Sequence, residues 1–340
     1  NQFVPVMEAI APYFVTRLLL SSFHSVLLYG PETSKTLLAK NMMEHLNASN
    51  LFDCAQISLH ACTSPSTIAN IIQSCLHRRG SVFCPLKGHH NIFLLDSIGA
   101  VKPEEYGAQP ALELLRQYFD YHGWFCTSPV EFQGIKGVSF LATMNKIGGG
   151  FYDIPSRVSR HFLILHLPKY PTQTTVSIVT QLLQNNFKEY VQPVRDLLRP
   201  CGEAAVDILE KCQNQLLPIP SKLHYVFNLH NIIHTIKGML MVKPSNVEDT
   251  ETFIKLFHHE MKREFYDRLN SSEDRNTFRT LLQGAIPKYF KVSWESVAHG
   301  EEVLFNNFWD DHKGYSLVEM DRAKLLQICC KMLDEHNKDA

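Results

Sequence analysis

No two cysteines in this 340-residue chain are spaced as C-x-x-C, and the nine cysteines, at 54, 62, 75, 84, 126, 201, 212, 329 and 330, are odd in number. That excludes a ribbon-type zinc site and disfavours a disulfide framework, leaving reduced and mostly buried thiols. No apolar run approaches the roughly 18 residues of a membrane span, and the N-terminus lacks the charged start and long apolar core of a signal peptide. Neither sign of charge is in excess: 33 Lys and Arg against 34 Asp and Glu give a formal net charge of −1. Nothing global therefore draws the chain to nucleic acid or to an anionic membrane surface. There is no internal repeat and no low-complexity tract. These absences predict a cytosolic protein with no nucleic-acid and no membrane partner. The opening Asn1, in place of Met, is expected to mark a segment of a longer polypeptide.

What is present is a change of pattern near residue 170. Before it, short apolar runs alternate with helical periods. Residues 1–25 read as a helix, followed by a strand at 25–29 stopping at Gly30-Pro31 and a helix at 36–46. A strand at 54–59, a helix at 64–77, a buried strand at 91–96, a helix at 109–122 and strands at 138–144 and 162–167 complete this half. Such alternation predicts a mostly parallel sheet covered on both faces. After Tyr170 only helical periods remain, at 172–187, 201–215, 228–241, 250–269 and 274–283, with the Pro-rich break Leu216–Ser221 between them. The expectation is an α/β P-loop-type core over residues 1–170 and an all-helical lid with linking helices over 171–340.

The chemistry concentrates at strand ends. A phosphate loop needs glycines so that backbone N–H groups can wrap an anion, a Lys for phosphate, and a Ser or Thr for magnesium. After the first strand the chain offers Gly30, Pro31, Glu32, Thr33, Ser34, Lys35 and Thr36. Against G-x-x-x-x-G-K-[ST] this loop is one residue short, and Ser34 stands at the second Gly. A plain strand-to-helix turn would use the same residues. Asp96 closes a buried strand 60 residues after Thr36, as the magnesium residue of P-loop enzymes does. The following residue, where a water-orienting acid would be expected, is Ser97, and a hydroxyl is no base at neutral pH without an activating partner. Asn145, at the tip of the next strand, can meet a γ-phosphate or attacking water, or simply open the turn at Gly148-Gly-Gly150. Arg157 and Arg160 are candidates for an arginine finger toward a neighbouring subunit, or surface ion pairs. Two histidines, His230 and His234, share one helical face at the i, i+4 spacing of a zinc pair, but with no third ligand nearby in sequence packing or solvation is the favoured reading. His89-His90 reads as an exposed turn before a strand.

These residues sit among longer runs that identify a family. Tyr106–Gln117 with Gly123-Trp-Phe125, then Met144–Gly150, Ser156–His161, His224–Leu229, His259–Leu269 and Glu273-Asp-Arg275 resemble the third AAA+ module of dynein heavy chains, in order, over roughly residues 3 to 290. The resemblance implies one module of a six-module ring in a single heavy chain, with ATP or ADP and magnesium as cofactors. It also implies neighbouring AAA+ modules, dynein light and intermediate chains and microtubules as partners. The expected setting is the cytoplasm and cytoskeleton, within a cilium or flagellar axoneme. Lys35 and Thr36 match the phosphate loop, Asp96 the magnesium residue, Asn145 the first sensor, Arg157 or Arg160 the finger, and Val4-Pro5 the loop beside adenine.

The departures from that pattern are as informative. The loop is shortened, Ser97 replaces the catalytic acid, His230 replaces the lid sensor arginine and His234 a second arginine. A neutral His carries no charge for a γ-phosphate, and a protonated one is shorter than Arg. The expectation is a structural or regulatory module with weak or absent nucleotide binding and no efficient turnover, from an axonemal heavy chain or, slightly favoured, a divergent dynein-heavy-chain-domain protein. The competing reading is an active hydrolysing module with an unorthodox site, which would need a carboxylate within reach of the γ-phosphate. Beyond Asp96, the candidates are distant ones such as Glu104 and Glu105, with nothing at position 97.

Overall fold

Strands whose residues are apolar on both faces can be hidden only between two layers of helices. Ile92, Phe93, Leu94 and Leu95 are fully shielded from solvent, as are Phe140, Leu141 and Ala142. The structure, a computed structural model, describes residues 3–31, 34–126, 130–295, 303–306, 318–319 and 322–339. It divides into two compact units, Asn1–Tyr170 and Pro171–Ala340.

The first unit runs α1 (Met7–Ser21), β1 (Val26–Tyr29), α2 (Lys35–Asn47), β2 (Phe52–Ser58), α3 (Pro65–Ser74), β3 (His77–Arg79), β4 (Val82–Cys84), β5 (His90–Asp96), α4 (Pro110–Tyr121), β6 (Gly123–Phe125), β7 (Phe132–Ile135), β8 (Val138–Met144), α5 (Ser156–Ser159) and β9 (Leu163–His166). Five strands form a parallel sheet in the order β2-β5-β8-β1-β9. One face packs on α3 and α4 through Ile68, Ile72, Leu112 and Leu115, the other on α1 and α2 through Leu20, Leu38 and Met42. This strand order gathers the polar residues. Because β8 lies between β1 and β5, the C-terminal ends of the strands bearing the loop, Asn145 and Asp96 are side by side, where open α/β sheets bind ligands.

Local signals explain the boundaries. Pro65 occupies the first turn of α3, and Ser64 caps it by accepting the Thr67 N–H at 3.2 Å. Helix α4 likewise starts on Pro110 and stops at His122, which takes a left-handed conformation (φ 53°). Pro12 inside α1 removes one helical donor; the Thr16 hydroxyl donates to its carbonyl at 2.7 Å.

Three features depart from the sequence reading. A second, four-stranded sheet, β3-β4-β7-β6, is built from two antiparallel hairpin pairs joined by a parallel β4–β7 contact. Its strands are three or four residues long, and β3 is His77-Arg78-Arg79, wholly exposed, so no apolar alternation marks it. His90 is the first residue of β5 rather than part of an exposed turn. Its ring is half-buried, 2.8 Å from the Ser139 hydroxyl, and burial lowers its pKa to about 4. Finally, the helix expected over 250–269 is α-helical only to Met261, then widens into a π-turn at Lys262–Tyr266.

The second unit contains α6 (Thr172–Asn186), α7 (Gln192–Asp196), α8 (Leu198–Gln215), α9 (Leu229–Met239), α10 (Thr250–Met261) and α11 (Ser272–Phe290). A two-residue strand pair, β10 (Phe305–Asn306) and β11 (Val318–Glu319), and α12 (Arg322–Asp339) come after these helices. Helix α8 packs between α6 and α11, burying Ala204, Ala205, Ile208 and Leu209. The rings of Phe227, Phe265 and Phe278 lie parallel in succession, 5.7 and 5.8 Å apart, which ties the chain before α9 to the π-turn and α11.

Candidate functional site

Three residues far apart in sequence meet at the C-terminal edge of the main sheet. Asp96 ends β5, and its Oδ1 accepts hydrogen bonds from the Thr36 hydroxyl at 2.8 Å and the Thr143 hydroxyl at 2.7 Å. Thr143 Oγ1 in turn accepts the Ser97 backbone N–H at 2.9 Å. Ser97 is left-handed (φ 62°, ψ 54°), a conformation in which a non-glycine residue is uncommon. A half-buried network thus holds the carboxylate and the residue after it. Sequence reasoning points to Thr36, Asp96 and Ser97 but misses Thr143. The signal for it is the strand order: a hydroxyl in an apolar strand stands out only once β8 is known to adjoin β5.

The loop before α2 carries backbone features of its own. Gly30 is buried with φ 152°, and a Cβ there would lie 2.1 Å from the Leu167 carbonyl oxygen, so only glycine fits. Its N–H donates to Met144 O at 3.3 Å, fastening the loop to the end of β8. Ser34, at the second-glycine position, is also left-handed (φ 54°). Lys35 opens α2 with only 4% of its surface exposed. Its Nζ donates to Gly30 O at 3.0 Å and to Pro31 O. The ammonium is therefore turned onto the loop's own carbonyls. Glu32 and Thr33, the middle of the sequence-predicted loop, lie outside the described residues.

The donor set around Asp96, a carboxylate beside a threonine hydroxyl, is hard oxygen. It suits magnesium, which takes one or two protein carboxylates and completes its shell with water and phosphate. Among the described residues no cluster of three or more His, Cys, Asp or Glu side chains could hold a metal ion.

Asn145 comes directly after β8 and is half-buried; Gly148 and Phe151 exchange backbone hydrogen bonds (2.9 and 3.1 Å) in the turn beyond it. Val4 is buried and Pro5 exposed, both just before α1. Glu104 and Glu105 lie exposed in a turn. Arg157 Nε is 2.7 Å from Glu113, and Arg160 Nη2 is 2.8 Å from Asp120, both acids lying on α4. Arg116 bridges the same two acids at 2.8 and 2.6 Å. Desolvation works to raise the Asp120 pKa, but hydrogen bonds from Arg116 and Arg160 outweigh it and hold the carboxyl below the usual range. His161 stacks on Phe119 at 5.0 Å and lies 3.1 Å from Asp120.

In the second unit, Asn228 caps α9 by accepting the His230 N–H at 3.0 Å, while Asn231 Oδ1 accepts the Asn228 N–H at 2.9 Å. The His230 and His234 rings are 4.2 Å apart, and His234 is 3.9 Å from Glu264. Glu264 also accepts from Asn231 at 2.8 Å.

The sequence is similar to those of known proteins. The family described as the P-loop containing dynein motor region matches residues 1–170, and the AAA+ lid domain matches residues 202–298. Dynein axonemal heavy chain 1 of mouse is 32% identical over 99% of this chain, which covers 8% of that relative. Dynein axonemal heavy chain 12 of mouse is 30% identical over 98% of this chain and 12% of its own length. Dynein axonemal heavy chain 3 of mouse is 32% identical over 86% of this chain and 7% of its own length. The chain thus spans only about a tenth of the length of these relatives. With its α/β unit matched by the dynein motor region, its helical unit by the AAA+ lid, and nearly its whole length by axonemal heavy chains, this chain belongs to the dynein heavy-chain AAA+ motor family.

Proposed function

We propose that the chain is the third AAA+ module of a dynein heavy-chain ring, and that it acts there as a structural and regulatory element rather than as a source of hydrolysis. The observation that carries this reading is the pairing of Asp96 with Thr36 beside a left-handed Ser97. The groups that would hold magnesium face each other, while the next position offers a hydroxyl where a water-activating carboxylate is needed. Lys35, with Gly30, Pro31 and Ser34, would meet the phosphates; Thr36 and Asp96 would hold the metal; Val4 and Pro5 would flank adenine; Asn145 would act as the first sensor. Bound magnesium would supply charge neutralisation between phosphate oxygens. The chain's own part is to fix Asp96 and Thr36 and to present Arg157 or Arg160 toward a neighbouring module.

Binding is expected to be weak. The loop is one residue short and has Ser34 for glycine, and each lost charge-assisted hydrogen bond costs roughly 1.5–3 kcal/mol. Its partners in this reading are the other AAA+ modules of the same heavy chain. Light and intermediate chains and microtubules are reached through the whole motor, in the cytoskeleton of a cilium or axoneme, as the names of the relatives suggest.

The experiment is Lys35→Ala in the full heavy chain, with ATPase and motility measured. The expected outcome is no more than a small change; a large fall in turnover with the fold intact would show that this site hydrolyses or gates. Ser97→Glu is the complementary variant. It is expected to give some hydrolysis if the loop holds Mg-ATP, and continued silence would place the main defect in the shortened loop.

A further inference from the structure

We infer that Thr143 is a positioning residue, one hydroxyl that sets both the Asp96 carboxylate and the backbone of Ser97 for a metal ion. The inference rests on the reading of Asp96 as the magnesium residue and adds a member to that site.

The hydroxyl has one hydrogen to give and two lone pairs to offer. It gives the hydrogen to Asp96 Oδ1 at 2.7 Å and takes the Ser97 N–H at 2.9 Å. Thr143 is almost wholly buried on the central strand β8, so water cannot easily substitute for it. Its β-branched side chain has few rotamers to choose from, and β8 is locked on both sides by parallel pairing, with Leu95 opposite Ala142 and Leu28 opposite Thr143. The hydroxyl is therefore delivered by a rigid element to a fixed point between two loop-edge groups.

Both Asp96 and Ser97 are constrained by this placement. Thr36 approaches Asp96 from the first turn of α2 and Thr143 from the end of β8, and both donors converge on Oδ1. Two donors on Oδ1 restrain the rotation of the carboxylate. The left-handed backbone of Ser97 is held at its N–H by Thr143 and at its carbonyl by the Ala100 N–H (2.8 Å), so Thr143 is one of two anchors that set this backbone. Groups that orient a metal ligand in this way typically matter by about 10–100-fold in metal affinity.

Thr143→Val keeps the shape and removes the hydroxyl; Thr143→Ser keeps the hydroxyl. Manganese binding in the presence of ADP is followed by electron paramagnetic resonance on the 340-residue chain, together with residue-level amide hydrogen exchange at Ser97 without nucleotide. Thr143→Val is expected to raise the manganese concentration at half-saturation by about tenfold or more and to speed Ser97 exchange to a similar degree, with Thr143→Ser resembling the parent in both. Parent-like manganese binding by Thr143→Val would overturn the inference while leaving the nucleotide reading intact. If the parent binds no manganese with ADP, the metal reading of Asp96 fails. The exchange measurement then decides Thr143 alone: unchanged exchange in Thr143→Val overturns its positioning role. Accelerated exchange restored by Thr143→Ser supports that role for the backbone at Ser97.

Discussion

The two units use their polar residues differently. In the α/β unit, Thr36, Asp96, Ser97 and Thr143 converge at one edge of a sheet from three separate stretches of chain. In the helical unit the half-buried polar contacts named here are separate pins. Asp274 accepts from Lys222 and from the Tyr225 hydroxyl, Glu260 is held by Arg263, and Glu264 accepts from Asn231. The cause is geometric. Parallel strands in one sheet end on the same side, so residues at their tips must gather. Helices packed at varied angles meet pairwise, and each polar pin serves one junction. A concentrated site is thus natural to the first unit, and a distributed set of fastenings to the second.

The sharpest way to break this contrast is at a glycine in each unit. In the α/β unit, a Cβ at Gly30 would stand 2.1 Å from the backbone oxygen of Leu167. Leu167, directly after β9, is fastened by its N–H to Tyr29 O at 2.8 Å and cannot readily step aside, so Gly30→Ala is expected to destabilise by about 3 kcal/mol or more in chemical denaturation. In the helical unit, a Cβ at Gly238 would stand 1.9 Å from Glu260 Oε2, a side chain that can turn. Glu260 is buried, its pKa raised by desolvation against the opposing pull of Arg263, so turning it still carries a cost. Gly238→Ala is expected to lose about 1–3 kcal/mol. Equal losses would mean that the strand-end loop is no more rigid than a helix contact.

Acid should separate the units next. Burial lowers His258 to about 3 and His259 to about 4 in the helical unit, and His90 to about 4 in the other. The folded state therefore keeps these imidazoles neutral, while the unfolded chain takes up protons near pH 6.5. Stability from them is complete above about pH 6.5 and is lost as the pH falls toward 4. His258 and His259 are partly exposed, so each contributes a loss of at most about 2 kcal/mol between pH 7 and pH 5. His90, being less shielded, contributes less. His258 stacks on Trp294 at 3.8 Å, so His258→Phe keeps the stack and removes the titration. Thermal unfolding at the two pH values is expected to show a smaller acid loss in that variant than in the parent. An unchanged loss would place the acid sensitivity elsewhere.

A milder test touches one pin alone. Tyr225 is buried, donates to Asp274 Oδ2 at 2.9 Å and accepts the Asn270 N–H at 3.0 Å. Tyr225→Phe is expected to lower stability by about 1–3 kcal/mol in chemical denaturation, since it leaves the Asn270 N–H without its acceptor. No measurable change would mean that water replaces the hydroxyl without cost.

The same contrast governs how much of the molecule is legible in its sequence. Runs such as Ile92–Leu95 and Phe140–Ala142 are apolar throughout, and burial on both faces is the reason, so the central strands declare themselves. Helical periods after residue 170 are legible for the same reason in another geometry. Strand order is not, because nothing in an apolar run says which neighbour it takes. Thr143 stays hidden behind that gap as one more residue of a buried strand, whereas Asn145 is conspicuous at its tip. The hairpin sheet escapes because β3 and β6 are three residues each and β3 is entirely polar. His90 looks like a loop residue because a charged or polar ring at a strand start has no period of its own; its place is set by Ser139 across the strand pair.

The smallest expected effect on stability belongs to the arginines beside α5. Arg157 and Arg160 are more than half exposed, and each is paired with a carboxylate of α4 that Arg116 also holds. Surface ion pairs are screened by solvent and must overcome the entropy of two long side chains, and here Arg116 remains to neutralise both acids after either loss. Arg157→Ala and Arg160→Ala are therefore expected to shift the melting temperature by no more than about 2 °C. A larger fall would mean that the α4–α5 junction, with His161 stacked on Phe119, depends on the arginines for its packing. Because the fold is expected to survive both changes, the same variants in the full heavy chain give a clean reading of the finger proposal. Loss of a finger typically lowers turnover by about 10³-fold or more at the site it serves. If one of the two lowers a neighbouring module's turnover on that scale while the other leaves it near the parent's, the first is the finger. If neither does, the pair is a surface fastening and nothing more.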